Sequence, residues 1–190
     1  MTTPAADNAP IVFTIGHSTR TAAELIELLR APGVTKLVDV RTVPRSRHTP
    51  QFNRETLPQV LQAAGIGYLH LPGLGGLRHS HKDSVNTGWR NASFRGYADY
   101  MLTPEFEQSV SALIELARRE RIAIMCAEAV PWRCHRWLLA DALSVRGVRV
   151  EHIMSLTRSD PHSLTSWAKV ERTRITYPGP GEQSALPGVR

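Results

Sequence analysis

Only two of the 190 residues are cysteines, Cys126 and Cys134. A disulfide framework is thereby excluded as the source of the fold, and a reducing compartment is the expected setting. Long apolar runs are missing too. No window approaches the roughly 18 consecutive apolar residues that a membrane-spanning helix needs, so no membrane association is expected. The opening MTTPAADNAP has no basic start and no apolar stretch, which argues against a signal peptide and for the cytoplasm. Lysine is scarce, with three Lys beside twenty Arg, and residues 41–54 carry Arg41, Arg45, Arg47 and Arg54 without one acid. Neither a Cys-x-x-Cys pair nor the short ligand spacing of a zinc site occurs, which ranks metal binding and thiol redox chemistry last among the readings below. No internal repeat is visible, and no segment points to a particular cofactor.

The composition that remains, 42% hydrophobic and 21% charged with a net charge of +6, is that of one soluble globular domain. A second basic stretch, residues 116–149, holds seven Arg against Glu120, Glu128 and Asp141. Guanidinium forks suit bidentate capture of phosphate or carboxylate, so a small anionic ligand is the expected partner and nucleic acid the alternative.

Residues 1–10 read as a flexible arm. Residues 11–15 are a short β-branched strand ending at Gly16, and Thr21-Ala22-Ala23-Glu24 is a capping box whose helix stops at Pro32-Gly33. Residues 36–41 form the second strand, Thr56-Leu57-Pro58-Gln59 reads as a second capping box, and residues 66–71 form the third strand. A polar loop of about 20 residues then follows Leu74-Gly75-Gly76, a length that points to function. Residues 94–101 are a short helix, and Thr103-Pro104-Glu105 caps a longer one. Residues 122–126 make the fourth strand, 131–145 a helix and 148–153 the fifth strand. This alternation predicts an α/β fold, a mostly parallel five-stranded sheet with helices on both faces, as a single domain over residues 11–155. Residues 156–190 read as a polar C-terminal segment, flexible at its end.

Open parallel sheets bind ligands outside the carboxyl ends of their strands. Here Gly16-His17-Ser18 follows strand one, Asp39-Val40-Arg41 and Pro44-Arg45-Ser46-Arg47 strand two, and Gly75-Gly76-Leu77-Arg78 strand three. Cys126-Ala127-Glu128 ends strand four, whose helix opens on Cys134-His135-Arg136. These groups are expected to share one edge, and each admits two roles. His17 and Ser18 either contact a ligand or cap a turn. Asp39 either meets a ligand or orients Arg41 in a buried ion pair. Gly75 and Gly76 either close a turn or, with Arg78, offer amides and a guanidinium to an anion. Cys126 is either an inert buried residue or a nucleophile activated by Arg133, His135 and Arg136, with Glu128 or His135 moving the proton. Cys134 is expected in the first turn of its helix, where the dipole favours a thiolate or a bound anion.

The motifs TIGHS, DVRTVPRSR, GIGYL with LGGLR, FRGYADYM with TPEF, and MCAE followed by CHR are similar, in this order, to those of the domain of unknown function 488 family. The resemblance spans residues 11–155 and implies a compact α/β domain without implying a reaction. Matched residue by residue, it implies a site drawn from His17, Ser18, Asp39, Arg41, Pro44, Ser46, Arg47, Gly75, Gly76, Arg78, Tyr97, Cys126, Glu128, Cys134, His135 and Arg136. A fainter similarity to rhodanese-like domains rests on a strand followed by Asp-Val-Arg; the Cys-x-x-Gly-x-Arg loop is absent. The expected function is therefore an enzyme acting on a small anionic or nucleotide-like substrate. Arg41, Arg47, Arg78 and Arg136 would hold the substrate, and Cys126, Glu128 and His135 are the catalytic candidates. The alternative is a nucleic-acid-interacting accessory protein with Trp89, Trp132 and Trp137 as stacking candidates. A metal-binding or thiol-redox protein comes third.

Overall fold

The computed structural model describes residues 9–181, so residues 1–8 of the expected arm and the end of the expected C-terminal segment lie outside the described residues. Strands β1 (Ile11–Gly16), β2 (Lys36–Asp39), β3 (Gly67–His70), β4 (Ile122–Cys126) and β5 (Arg149–Ser155) run parallel in the order β3-β2-β4-β1-β5. A further strand, β6 (Arg158–Pro161), pairs antiparallel outside β5, so the sheet has six strands where five were expected. Its sequence, Arg-Ser-Asp-Pro, shows no apolar alternation, and a proline suits only the edge of a sheet.

Side chains alternate across the sheet with period two. Phe13, Ile15, Leu37, Ala123 and Met125 pack under α1 (Ala22–Arg30) and α2 (Leu57–Ala63). Val12, Val38, Ile122 and Ile124 pack under α3 (Ala92–Tyr100), α4 (Pro104–Ala117) and α5 (Arg136–Ser144). Central β4 is buried on both faces, which is why Ile-Ala-Ile-Met-Cys is apolar without alternation. Among the described residues no helix is long and apolar enough to cross a membrane.

The helix starts differ in how they are capped. Thr21 and Glu24 form the full reciprocal box, and Thr103 accepts from the Phe106 amide. Thr56 makes no side-chain cap; the amides of Thr56 and Leu57 both turn to the Asn53 carbonyl instead, so the second capping box is not formed. The helix expected from residue 131 is broken. A 3-10 turn over Pro131–Arg133 is followed by extended Cys134 (φ −137°, ψ 153°), and α5 begins only at Arg136. Cys134 thus precedes the helix rather than sitting in its first turn.

Two further strands, β7 (Lys169–Glu171) and β8 (Arg174–Thr176), form a hairpin. Ile175 and Tyr177, from the segment that reads as polar and loose, are buried in the core beneath α3, α4 and α5. After β1 the chain passes to one face of the sheet, and after neighbouring β4 to the other. Their carboxyl ends therefore flank a topological switch point, the place where such sheets accept ligands.

Candidate functional site

The loops at this edge are pressed together through glycine. A Cβ at Gly16 would lie 1.8 Å from the Glu128 carbonyl oxygen, and one at Gly76 would lie 2.4 Å from His135 Nδ1. Any side chain would push the loops apart. Backbone bonds complete the seam: the His17 amide donates to the Cys126 carbonyl (3.0 Å) and the Ser18 amide to that of Ala127 (2.9 Å). Ser18 takes a left-handed φ of 49° to do so. Gly75 meets Thr42 in the same way, so segments far apart in sequence share one edge.

They enclose a hollow of about 480 Å³. Arg41, Thr42 and Val43 enter after β2, Gly76 and Leu77 after β3, and Cys126, Ala127, Glu128, Arg133, Cys134 and His135 after β4. The start of α3 adds Asn91, Ser93 and Phe94. The walls combine guanidinium groups with apolar carbon.

Two free thiols lie in this wall. Cys126 Sγ and Cys134 Sγ are 2.7 Å apart, within hydrogen-bond reach of each other. Cys134 Sγ also meets His135 Nδ1 at 3.4 Å, and Arg136 Nε donates to Cys126 Sγ at 2.8 Å. His135 Nε2 faces the Val40 carbonyl (3.3 Å), which can only accept, so Nε2 carries a hydrogen; Nδ1 accepts from the Cys134 thiol and, once it has taken that proton, donates to the thiolate. Burial and the bond to its neighbour push the Cys126 thiol well above the usual cysteine range. The hydrogen bond from Cys126, assisted by His135, draws Cys134 well below it despite the cost of burial. Of the two thiols, Cys134 is therefore the one more easily deprotonated.

Beside the thiols stand two buried Arg-to-Asp systems. On the α1/α2 face Arg41 grips Asp39 through Nε (2.9 Å to Oδ1) and Nη2 (2.6 Å to Oδ2), and Tyr68 donates to the same carboxylate at 2.8 Å. Arg41 Nη2 also donates to the Phe52 carbonyl, and Nη1 to His17 Nε2 at 3.2 Å. His17 Nδ1 donates to the Ser18 carbonyl, so the ring is neutral, with its hydrogen on Nδ1. Burial, together with Arg41, lowers its pKa in the same sense. Asp39 is thereby the partner of Arg41, the second of its two expected roles, and is fully buried. Arg41 keeps one Nη1 hydrogen without a partner among the described residues, at a pocket wall.

On the α3–α5 face Arg136 Nη1 donates to Thr14 Oγ1 (3.2 Å), which reaches His152 Nδ1 (2.7 Å). His152 Nε2 meets His162 Nδ1 (3.0 Å), and His162 Nε2 meets Asp141 Oδ1 (2.8 Å). With a guanidinium at one end and a carboxylate at the other, every hydrogen points the same way along this chain. Asp141 accepts from Thr165 twice and from Tyr177 as well. Trp137 stacks on His152 and donates to Thr165. Burial, with His162 next, pushes the pKa of His152 down to about 3.

With this geometry in view, comparison with protein families is decisive: the family model described as domain of unknown function DUF488 matches residues 21–143. The chain belongs to the DUF488 family. No curated protein and no solved structure matches it. The DUF488 match takes in the pocket from Arg41 to His135 and Asp141, while Thr14, His17, His152, His162 and Tyr177 lie outside it.

Of the residues named from the sequence, Arg41, Gly76, Cys126, Glu128, Cys134 and His135 line the DUF488 pocket. Glu128 is exposed at its lip, and its carbonyl, not its carboxylate, holds Arg136. His17, Asp39 and Arg136 stand behind the wall. Gly75 and Tyr97 shape it, Tyr97 by donating to the Leu74 carbonyl (3.0 Å) beside the His135 ring. Arg78 turns away, with its guanidinium 3.5 Å from the Tyr100 ring centre and its Nε on the Gly75 carbonyl. Ser46 and Arg47 border a separate hollow with Arg45 and Asn53, and Ser46 Oγ accepts from the amides of His48 and Thr49. Pro44 is buried. Thr42, Asn91 and Ser93 escaped the sequence reading; Asn91, as the cap of α3, carried a legible signal. Of the three stacking candidates, Trp132 is exposed, Trp89 sits among Phe94, Trp167 and Tyr177, and Trp137 lies on the histidine chain. Among the described residues no three His, Cys, Asp or Glu side chains are grouped so as to hold a metal ion.

Proposed function

We propose that this DUF488 protein is a thiol-dependent enzyme acting on a small anionic substrate, with Cys134 as nucleophile. The observation that carries this reading is the placement of the Cys134 sulfur, in the pocket wall and between the Cys126 thiol and His135 Nδ1. A thiolate, not a thiol, is the attacking species, and a flanking donor with an adjacent base is what keeps one available at neutral pH. The nucleophile moves from Cys126, the candidate favoured by the sequence, to Cys134, because Cys134 is the thiol that meets both a donor and the His135 base, while burial pushes the Cys126 thiol up.

Each neighbour then has a task. His135 Nδ1 takes the Cys134 proton whenever Cys126 is not donating, and returns it to a leaving group. Arg133 and the spare Nη1 hydrogen of Arg41 attract the anionic part of the substrate, while Val43, Leu77 and Phe94 cover its apolar part. The exposed Glu128 carboxylate at the lip favours substrates that place no negative charge there. Nucleic acid is the weaker reading, since only one of its three stacking candidates, Trp132, is exposed.

Iodoacetamide labelling, resolved by peptide mass spectrometry, tests the assignment. Cys134 should be alkylated well ahead of Cys126 at neutral pH, and phosphate or sulfate should slow it. Equal, slow labelling of both cysteines that rises only toward alkaline pH would refute the reading.

A further inference from the structure

The two sulfurs offer more than one nucleophile. Nothing stands between Cys126 and Cys134, and closing their 2.7 Å separation to a disulfide bond length takes a movement of only about 0.7 Å. Arg136 Nε, 2.8 Å from the Cys126 sulfur, is placed to stabilise negative charge that appears there when its proton leaves. Building on the reading of Cys134 as nucleophile, we infer that Cys126 is its resolving thiol and that the substrate is the disulfide of a small anionic thiol.

The reaction runs in two displacements. The Cys134 thiolate attacks one sulfur of the substrate R–S–S–R′. A Cys134–S–S–R bond forms, the S–S bond of the substrate breaks, and R′S⁻ leaves with its electron pair. Cys126 then gives its proton to the departing thiolate and attacks the Cys134 sulfur, expelling RS⁻. The substrate is reduced by two electrons to two thiols, and the protein dithiol is oxidised to the Cys126–Cys134 disulfide. Two molecules of a low-molecular-weight thiol, oxidised in turn to their own disulfide, restore the starting state. Arg133 and Arg41 on the pocket wall select negatively charged R groups, and the apolar wall accommodates their carbon.

Dithiobis(nitrobenzoate), an anionic aromatic disulfide, is a direct probe, with neutral dithiodipyridine as the comparison. The full chain should release two equivalents of thiolate and finish lighter by two hydrogens in intact-mass measurement, with no adduct retained. Cys126→Ser should stop at one equivalent and keep the adduct on Cys134. Scaled to a free small thiol, the anionic disulfide should react about tenfold faster than the neutral one, an advantage that salt removes. A wild-type chain that keeps a stable adduct on Cys134 overturns the resolving role while leaving the nucleophile assignment intact. Failure of Cys134 to react with either disulfide sinks both. The wild-type mass measurement decides even if the Cys126 variant does not fold.

Discussion

The two Arg-to-Asp systems on opposite faces of the sheet solve the same problem by different means. Each buries a guanidinium near the thiols and ends on a carboxylate that also receives a tyrosine hydroxyl, Tyr68 for Asp39 and Tyr177 for Asp141. Arg41 and Asp39 meet directly, two residues apart, in a bidentate pair. Arg136 and Asp141 are joined only through Thr14, His152 and His162, which brings β1, β5 and the C-terminal segment into one chain of bonds. The difference is one of reach. The first system orients a single arginine at the pocket wall; the second ties the helix behind the thiols to β1, β5 and the C-terminal segment.

That contrast is open to being broken. The largest effect is expected from Asp141→Ala, which strands the donors of His162, Thr165 and Tyr177 in the interior. Urea unfolding should show a loss on the order of 5 kcal/mol, which no single second substitution repairs. Asp39→Ala should cost about 3–5 kcal/mol by leaving Arg41 charged and unpaired, yet Asp39→Ala combined with Arg41→Met should return close to wild-type stability. If a second substitution rescues Asp141→Ala just as well, the two systems are alike and the contrast is wrong.

Acidity sharpens it further. His152 titrates at about 3 in the fold against 6.5 when free, so the unfolded chain takes up the proton first as pH falls. Its contribution to stability is complete above pH 6.5 and is lost between 6.5 and about 3. The expected slope for this one group is up to about 1.4 kcal/mol per pH unit. His17, also lowered, acts in the same direction on the other face. Unfolding measured against pH should show a shallower acid slope in His152→Phe than in the wild type; an unchanged slope would show that the histidine chain is not what acid disrupts.

The sequence made one of these systems readable and concealed the other. Asp39 and Arg41 lie so close in the chain that their ion pair could be named in advance. The same holds for the Thr21 capping box, the uniform apolar run of β4 and the meeting of strand-end loops. The members of the second chain are scattered from Thr14 to Tyr177, and a lone threonine or histidine in a strand carries no mark of its partner. Asp141 alone gave a signal, as a charged residue within the apolar Trp-Leu-Leu-Ala-Asp-Ala-Leu of α5, fully buried in the structure. Arg78 shows the opposite case. Its place after two glycines suggested an anion site, but the Tyr100 ring offers the guanidinium a partner that no local pattern reveals.

The central claim is that Cys134, the more easily deprotonated of the two thiols, rests as a thiolate beside Cys126. Following ultraviolet thiolate absorbance against pH, in the wild type and in Cys134→Ser, tests it most directly. One equivalent of thiolate should already be present at neutral pH in the wild type, fall away on acidification, and be missing from Cys134→Ser. Thiolate that emerges only near the ordinary cysteine value of 9, in both proteins alike, would contradict the account.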